Sequence, residues 1–198
     1  WMQYDVQFKR FAHNLGRENS DNAGRNLNSF FFYREFCKRQ MFLQKNKPLL
    51  SKANPFVFRL DSLMKTFPDA KIVFIVRDPL ETIPSYFSMQ EKMKYGNTMT
   101  KQELKFYREE TYKEIIDWYK ETEVAQDKLE SKNFVVFTYQ DLTENLEKTI
   151  KQFFTFSNQK MTKEFKKILK KTISKKYVKK HQNKTVSDFG LSDKKIRR

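Results

Sequence analysis

The chain has 198 residues, one domain's worth and long enough to bury a core. Its 40 Lys and Arg outweigh 24 Asp and Glu to give a formal net charge of +16, which suits nucleic acid, an anionic membrane surface or an acidic small molecule. A single cysteine, Cys37, excludes an internal disulfide, no apolar run reaches the roughly 18 to 20 residues a membrane helix needs, and no signal peptide is recognised.

Residues 1–26 read as polar and irregular, with glycine and asparagine turn signals. Leu27 to Lys45 is predicted as a helix whose apolar side carries Phe30, Phe31, Tyr33, Cys37, Met41 and Leu43, so Cys37 is a core residue rather than a reactive thiol. Pro48 to Ser51 suggests a short strand. Phe56 to Phe67 reads as a helix with Phe56, Leu60, Leu63 and Met64 on one face.

Lys71 to Val76 is a continuous β-branched run, the mark of a fully buried strand, and it stops at Arg77. Asp78 is a helix N-cap, Pro79 suits the first helical position, and Glu81 stands three residues past the cap. Pro84 lies close enough to that helix start for its missing N–H to be tolerated. Thr100 with Glu103 forms a capping box for a long helix to about Lys128, with Leu104, Tyr107, Thr111, Ile115, Trp118 and Tyr119 buried. Phe134 to Thr138 is a second buried strand, and Thr143 to Thr155 a helix with Leu146, Ile150, Phe153 and Phe154 inward. Met161 to Tyr177 is a basic helix, and His181 to Arg198 is irregular. Between Gln159 and Arg198, fifteen Lys and Arg stand against three acids.

Strands alternating with helices predict an α/β fold, a parallel sheet flanked by helices, in a single domain over 1–198 that ends in the basic helical segment 159–198. In such sheets ligands bind beyond the carboxyl ends of strands. Arg77 and Tyr139 both stand just past a strand end, which points to one site.

An arginine there meets a helix N-terminus whose bare N–H groups point outward. A bidentate guanidinium and a helix dipole together make an anion site. Ser85 is seven residues past the cap, and two helical turns return its hydroxyl to nearly the face of Asp78. The plainer reading is that Arg77 pairs with a neighbouring carboxylate and Ser85 only packs.

Further pattern bears on the choice: the stretch "LLSKANPFVFRLDSLMKTFPDAKIVFIVRDPLETIPSYFS" resembles the sulfotransferase family. The match is to the branch that reads leucine, serine, lysine, asparagine-proline, a helix, then "FPDA" and "RDP…PS". The resemblance implies a P-loop NTPase-like sulfotransferase fold that uses 3′-phosphoadenylyl sulfate as donor. It implies that Arg77 and Ser85 bind the 3′-phosphate of that donor, and that Lys52 stands near the transferred sulfuryl group and steadies its charge. "FVVFTYQDLTENLEKTIKQFF" resembles the next family block, which implies that Tyr139 lies by the adenine. "DFGLSDKKI" is similar to the closing block, with His181 shortly before it.

Two features depart from the family. Its opening strand and 5′-phosphosulfate loop, of the type Pro-Arg/Lys-Ser-Gly-Thr-Thr, have no counterpart here; "HNLGRENSDNAGRN" has Gly16 and Gly24 but no strand before them. Either the first strand and loop are cut off or the chain is a degenerate relative; Trp1 in place of an initiator favours the expectation of an N-terminally incomplete domain. The second is the base: where the cytosolic branch has a histidine two places after the lysine, this chain has Asn54, which cannot take a proton at neutral pH. Glu18, Glu35 and His13 lie upstream, none of them matched to a motif, and His13 and His181 read as ordinary surface or packing residues.

The resemblance thus implies in-line sulfuryl transfer to a hydroxyl or amine of a small-molecule or glycan acceptor, with adenosine 3′,5′-bisphosphate leaving. No metal is needed, and no His/Cys cluster offers one. Two other readings stand beside it. One is a non-catalytic nucleotide or anion binder. The other is a nucleic-acid module built on "FKKILKKTISKKYVKK", against which Phe165, Ile168, Leu169 and Ile173 recur at helical spacing as a packing stripe. A membrane anchor and the compartment, cytoplasm or Golgi, are left open.

Overall fold

The computed structural model describes residues 17–18, 21–45, 47–91, 99–175 and 184–196. The chain divides into two compact units, residues 1–70 with 117–129, and residues 71–116 with 130–198.

In the first unit, helix α1 covers Ala23–Leu43, four residues earlier than its apolar spacing predicts. Its start is tied down by side chains: Asn26 Nδ2 donates to Asn22 Oδ1 at 3.0 Å, and Asn22 Nδ2 to the Arg17 carbonyl at 2.6 Å. The buried stripe is narrower than expected. Asn26, Phe30 and Cys37 are buried, whereas Phe31 and Leu43 are exposed. Phe30 meets Phe56 edge-on at 5.0 Å, and Tyr33 packs against Phe56 and Phe67 at 5.5 and 6.0 Å.

The helix predicted from Phe56 to Phe67 is two pieces, a 3-10 turn Asn54–Arg59 carrying Pro55 near its start and helix α2, Leu60–Thr66. The change of pitch rotates the inward face, so Val57, Leu60, Ser62 and Thr66 are buried and Leu63 and Met64 only partly so. The strand expected at Pro48 to Ser51 does not form. Leu49 and Leu50 are exposed, and among the described residues this two-leucine segment has no neighbouring strand to satisfy a backbone ladder.

In the second unit, strands β1, Ile72–Val76, and β2, Phe134–Thr138, pair in parallel, with Ile72 opposite Phe134 and Val76 opposite Thr138. The mixed α/β class and the parallel sheet flanked by helices are as the sequence predicts. Full burial of the strands is not. Among the described residues the sheet has two strands, so each is an edge; Phe74, Phe134 and Phe137 are buried while Ile75 is 49% exposed.

Helix α3, Pro79–Gln90, follows β1, with Ile83, Pro84 and Phe87 buried. Helix α4, Lys101–Lys128, starts at the expected capping box: the Thr100 hydroxyl and amide donate to Glu103 Oε2 at 2.7 and 2.9 Å. Its residues 101–116 belong to the second unit and 117–128 to the first.

After β2 the chain turns straight into helix α5, Tyr139–Glu144, breaks at Asn145, and resumes as α6, Leu146–Phe156. The single helix expected from Thr143 misses this break. Thr149 makes the join: buried, its hydroxyl lies 3.0 Å from each of the Asp141 and Asn145 carbonyls. Helix α7, Lys163–Ile173, packs by Phe165 on Phe154 at 5.0 Å and by buried Leu169. Ile168 and Ile173, expected inward, are exposed, because one neighbouring helix needs only the Phe165–Leu169 pair four residues apart. The sequence-predicted continuation to Tyr177, and His181, lie outside the described residues. Farther on, a 3-10 turn, Ser187–Phe189, and a short helix α8, Asp193–Ile196, occupy the stretch expected to be irregular.

Candidate functional site

The parallel register dictates the site. Val76 and Thr138 are paired, so the residues that leave the sheet after them, Arg77 and Tyr139, emerge side by side. The Arg77 guanidinium lies over the Tyr139 ring, 4.8 Å from its centroid. Both residues line an open groove at the carboxyl ends of the strands, and Ser85 lines the same groove. Its volume, about 2550 Å³, exceeds the roughly 300–1,000 Å³ of a pocket fitted to one small ligand, so volume alone selects nothing. The groove is also lined by α6 residues including Lys148, Lys151 and Gln152, and by Lys175 beyond α7.

Arg77 also has the carboxylate partner that the plainer reading anticipates. Its Nε donates to Glu81 Oε2 at 2.9 Å, one helical turn along, with the guanidinium about a quarter exposed and Glu81 about half exposed. Two features therefore coexist: an ion pair within the corner and an arginine on a groove. The Arg–x–x–x–Glu spacing carried this signal, since residues four apart share a helix face.

The helix start differs from expectation. Pro79 has no N–H. The Leu80 amide donates to Asp78 Oδ1 at 2.8 Å, and the Glu81 and Thr82 amides each donate to the Asp78 carbonyl at 2.9 Å. The first turn thus keeps its donors for its own cap, and the bare N–H groups expected there are not bare. The polar groups that line the groove at this corner include the side chains of Arg77 and Ser85, near the positive end of the helix dipole.

The Tyr139 side of the corner is held by a second cap. The Thr138 hydroxyl and amide donate to Asp141 Oδ2 at 2.6 and 3.0 Å, and the Asp141 amide donates back to Thr138 Oγ1 at 3.0 Å. The Thr138 hydroxyl, and then its amide, hold the Asp141 carboxyl below its ordinary pKa.

Lys52 belongs to the first unit, exposed in the irregular segment that precedes the 3-10 turn. Beside it, the Tyr33 hydroxyl donates to Ser51 Oγ at 2.8 Å; burial pushes Tyr33 above its ordinary pKa, against that hydrogen bond. Arg77, Ser85 and Tyr139 belong to the second unit. Of the upstream acids, Glu18 caps α2: its carboxylate accepts from the Ser62 amide at 3.1 Å and from the Ser62 hydroxyl. Glu35 is exposed and is held below its ordinary pKa, first by the Lys38 hydrogen bond at 2.8 Å. His13 lies outside the described residues. No helix among the described residues is long and apolar enough to cross a membrane.

A strand-end arginine, a helix hydroxyl and an aromatic ring thus line one groove. The chain belongs to the sulfotransferase family, a family of transferases, whose profile matches residues 3–163. It is similar to the omega-hydroxy-beta-dihydromenaquinone-9 sulfotransferase Stf3 of Mycobacterium bovis and of Mycobacterium tuberculosis, with 21% identity over 116 residues in each case. That alignment covers 59% of this chain and 30% of each relative's length. No solved structure matches the chain significantly.

Proposed function

We propose that the chain is part of a sulfotransferase that moves a sulfuryl group from 3′-phosphoadenylyl sulfate to a hydroxyl or amine acceptor. The observation that carries this reading is the shared groove of Arg77, Ser85 and Tyr139 in a chain of this family. Arg77 and Ser85 would grip the donor's 3′-phosphate, both by charge-assisted hydrogen bonds, the guanidinium adding its own positive charge. Tyr139 offers ring surface for the adenine. Lys52 would neutralise charge that builds on the sulfuryl oxygens during in-line displacement, with adenosine 3′,5′-bisphosphate leaving. The mycobacterial relatives are named for an omega-hydroxylated acceptor, which favours a hydroxyl over an amine here as well.

Thermal unfolding with and without adenosine 3′,5′-bisphosphate tests the binding half: the melting temperature rises with ligand, and Arg77→Ala removes the rise. Transfer of labelled sulfate by the full-length protein tests the chemical half. Binding without transfer leaves a nucleotide binder, and no binding at all removes the reading.

A further inference from the structure

A guanidinium clamps a phosphate well only if its plane is already aimed, because a free arginine loses much rotamer freedom on binding. Two of its contacts bear on how Arg77 is aimed. Glu81 Oε2 takes the Nε–H at 2.9 Å, from the same helix one turn on. The Tyr139 ring lies under the guanidinium at 4.8 Å. Both restrict the rotamers open to the guanidinium. Each partner is anchored in turn: Glu81 by the Asp78 cap through its own amide, and Tyr139 by the capping box of Thr138 and Asp141 at the foot of α5.

We infer that Glu81 and Tyr139 are positioning residues, a cradle that presets the Arg77 guanidinium for an incoming phosphate; this rests on the anion-site reading above. The cradle gives Tyr139 a task apart from contact with a base, and it makes Glu81 a useful neighbour despite its negative charge. The acceptor oxygen of Glu81 matters to the cradle, whereas its charge opposes the phosphate.

The test uses calorimetric affinity for two probes, adenosine 3′,5′-bisphosphate and the base-free ribose 3-phosphate, with unliganded melting temperature as the fold check. Tyr139→Leu should weaken both probes by about tenfold, the scale of a partly desolvated cation–π contact, and Tyr139→Phe should restore both. Glu81→Ala should weaken both about fivefold, whereas Glu81→Gln, which keeps the acceptor and removes the charge, should bind at least as tightly as the unaltered chain. Loss confined to the adenosine probe would assign Tyr139 to the base alone and overturn the cradle, as would tighter binding by Glu81→Ala. Since Glu81 is half exposed, its variants report even if Tyr139→Leu does not fold. If Arg77→Ala abolishes binding while these variants bind normally, the cradle fails alone; if the unaltered chain binds neither probe, the anion-site reading fails with it.

Discussion

The Arg77 guanidinium rests 4.8 Å above the centre of the Tyr139 ring, although 61 intervening residues separate the two in the chain. The contact follows from one alignment, Val76 opposite Thr138 in a parallel ladder, which delivers the next residue of each strand to the same edge. Four consequences can be measured.

Arg77→Lys should not rescue the site. Lysine keeps the charge but has neither the planar fork that grips two phosphate oxygens nor the flat face that lies on Tyr139. The expected loss in affinity for adenosine 3′,5′-bisphosphate is at least about tenfold, near that of Arg77→Ala, read by titration calorimetry.

Ser85→Ala should also weaken the same ligand, by about tenfold, the lower end for a hydrogen bond to a charged group. Ser85 is only partly buried, so the melting temperature of the unliganded chain should stay within a degree or two. A large drop in stability with no effect on binding would return Ser85 to a packing role.

Ile83→Ala provides the opposite pattern. Ile83 is fully buried on α3, two residues from Ser85. Its truncation should cost about 2–5 kcal/mol, roughly 5–15 °C in melting temperature, with ligand affinity changed little in the fraction that remains folded.

The Thr138–Asp141 box should make the α5 start acid-sensitive. Asp141 titrates below its ordinary value in the folded chain, so its contribution is present above the unfolded carboxyl pKa, near 3.9, and is lost as pH falls through the folded value. Urea midpoints of the wild type and Asp141→Asn should therefore differ at pH 7 and converge toward pH 3. Thr138→Ala, which removes the hydroxyl end of the box, should cost about 1 kcal/mol at neutral pH.

Much of the site-bearing corner was legible in the sequence. A β-branched run, an arginine, Asp-Pro and a serine two turns on specify a strand, a cap and a helix by local rules alone, and β1 and α3 lie where those rules put them. Properties that depend on a partner were not legible. The backbone at Asp78, with φ −52° and ψ 127°, lets one residue receive three successive amides, and no residue-type rule announces that the helix start is then saturated. Contact between Arg77 and Tyr139 requires the strand register. The exposure of Ile75 requires knowing how many strands lie beside it, and the strand expected at Pro48 to Ser51 failed for the same reason. The break at Asn145 was hidden because Leu142, Glu144, Leu146, Glu147 and Lys148 around it are good helix formers; the buried Thr149 hydroxyl that bridges it looks like any other threonine in print.

The saturated start of α3 has an evolutionary consequence. A phosphate loop built from main-chain amides keeps its ligand through most substitutions, because the backbone persists whatever the side chains do. At this corner the amides are already spent, so under the proposed function recognition falls to side chains that a single codon change can erase while the strand, the cap and the helix stay intact. Such a scaffold can lose or retune its ligand without losing its shape.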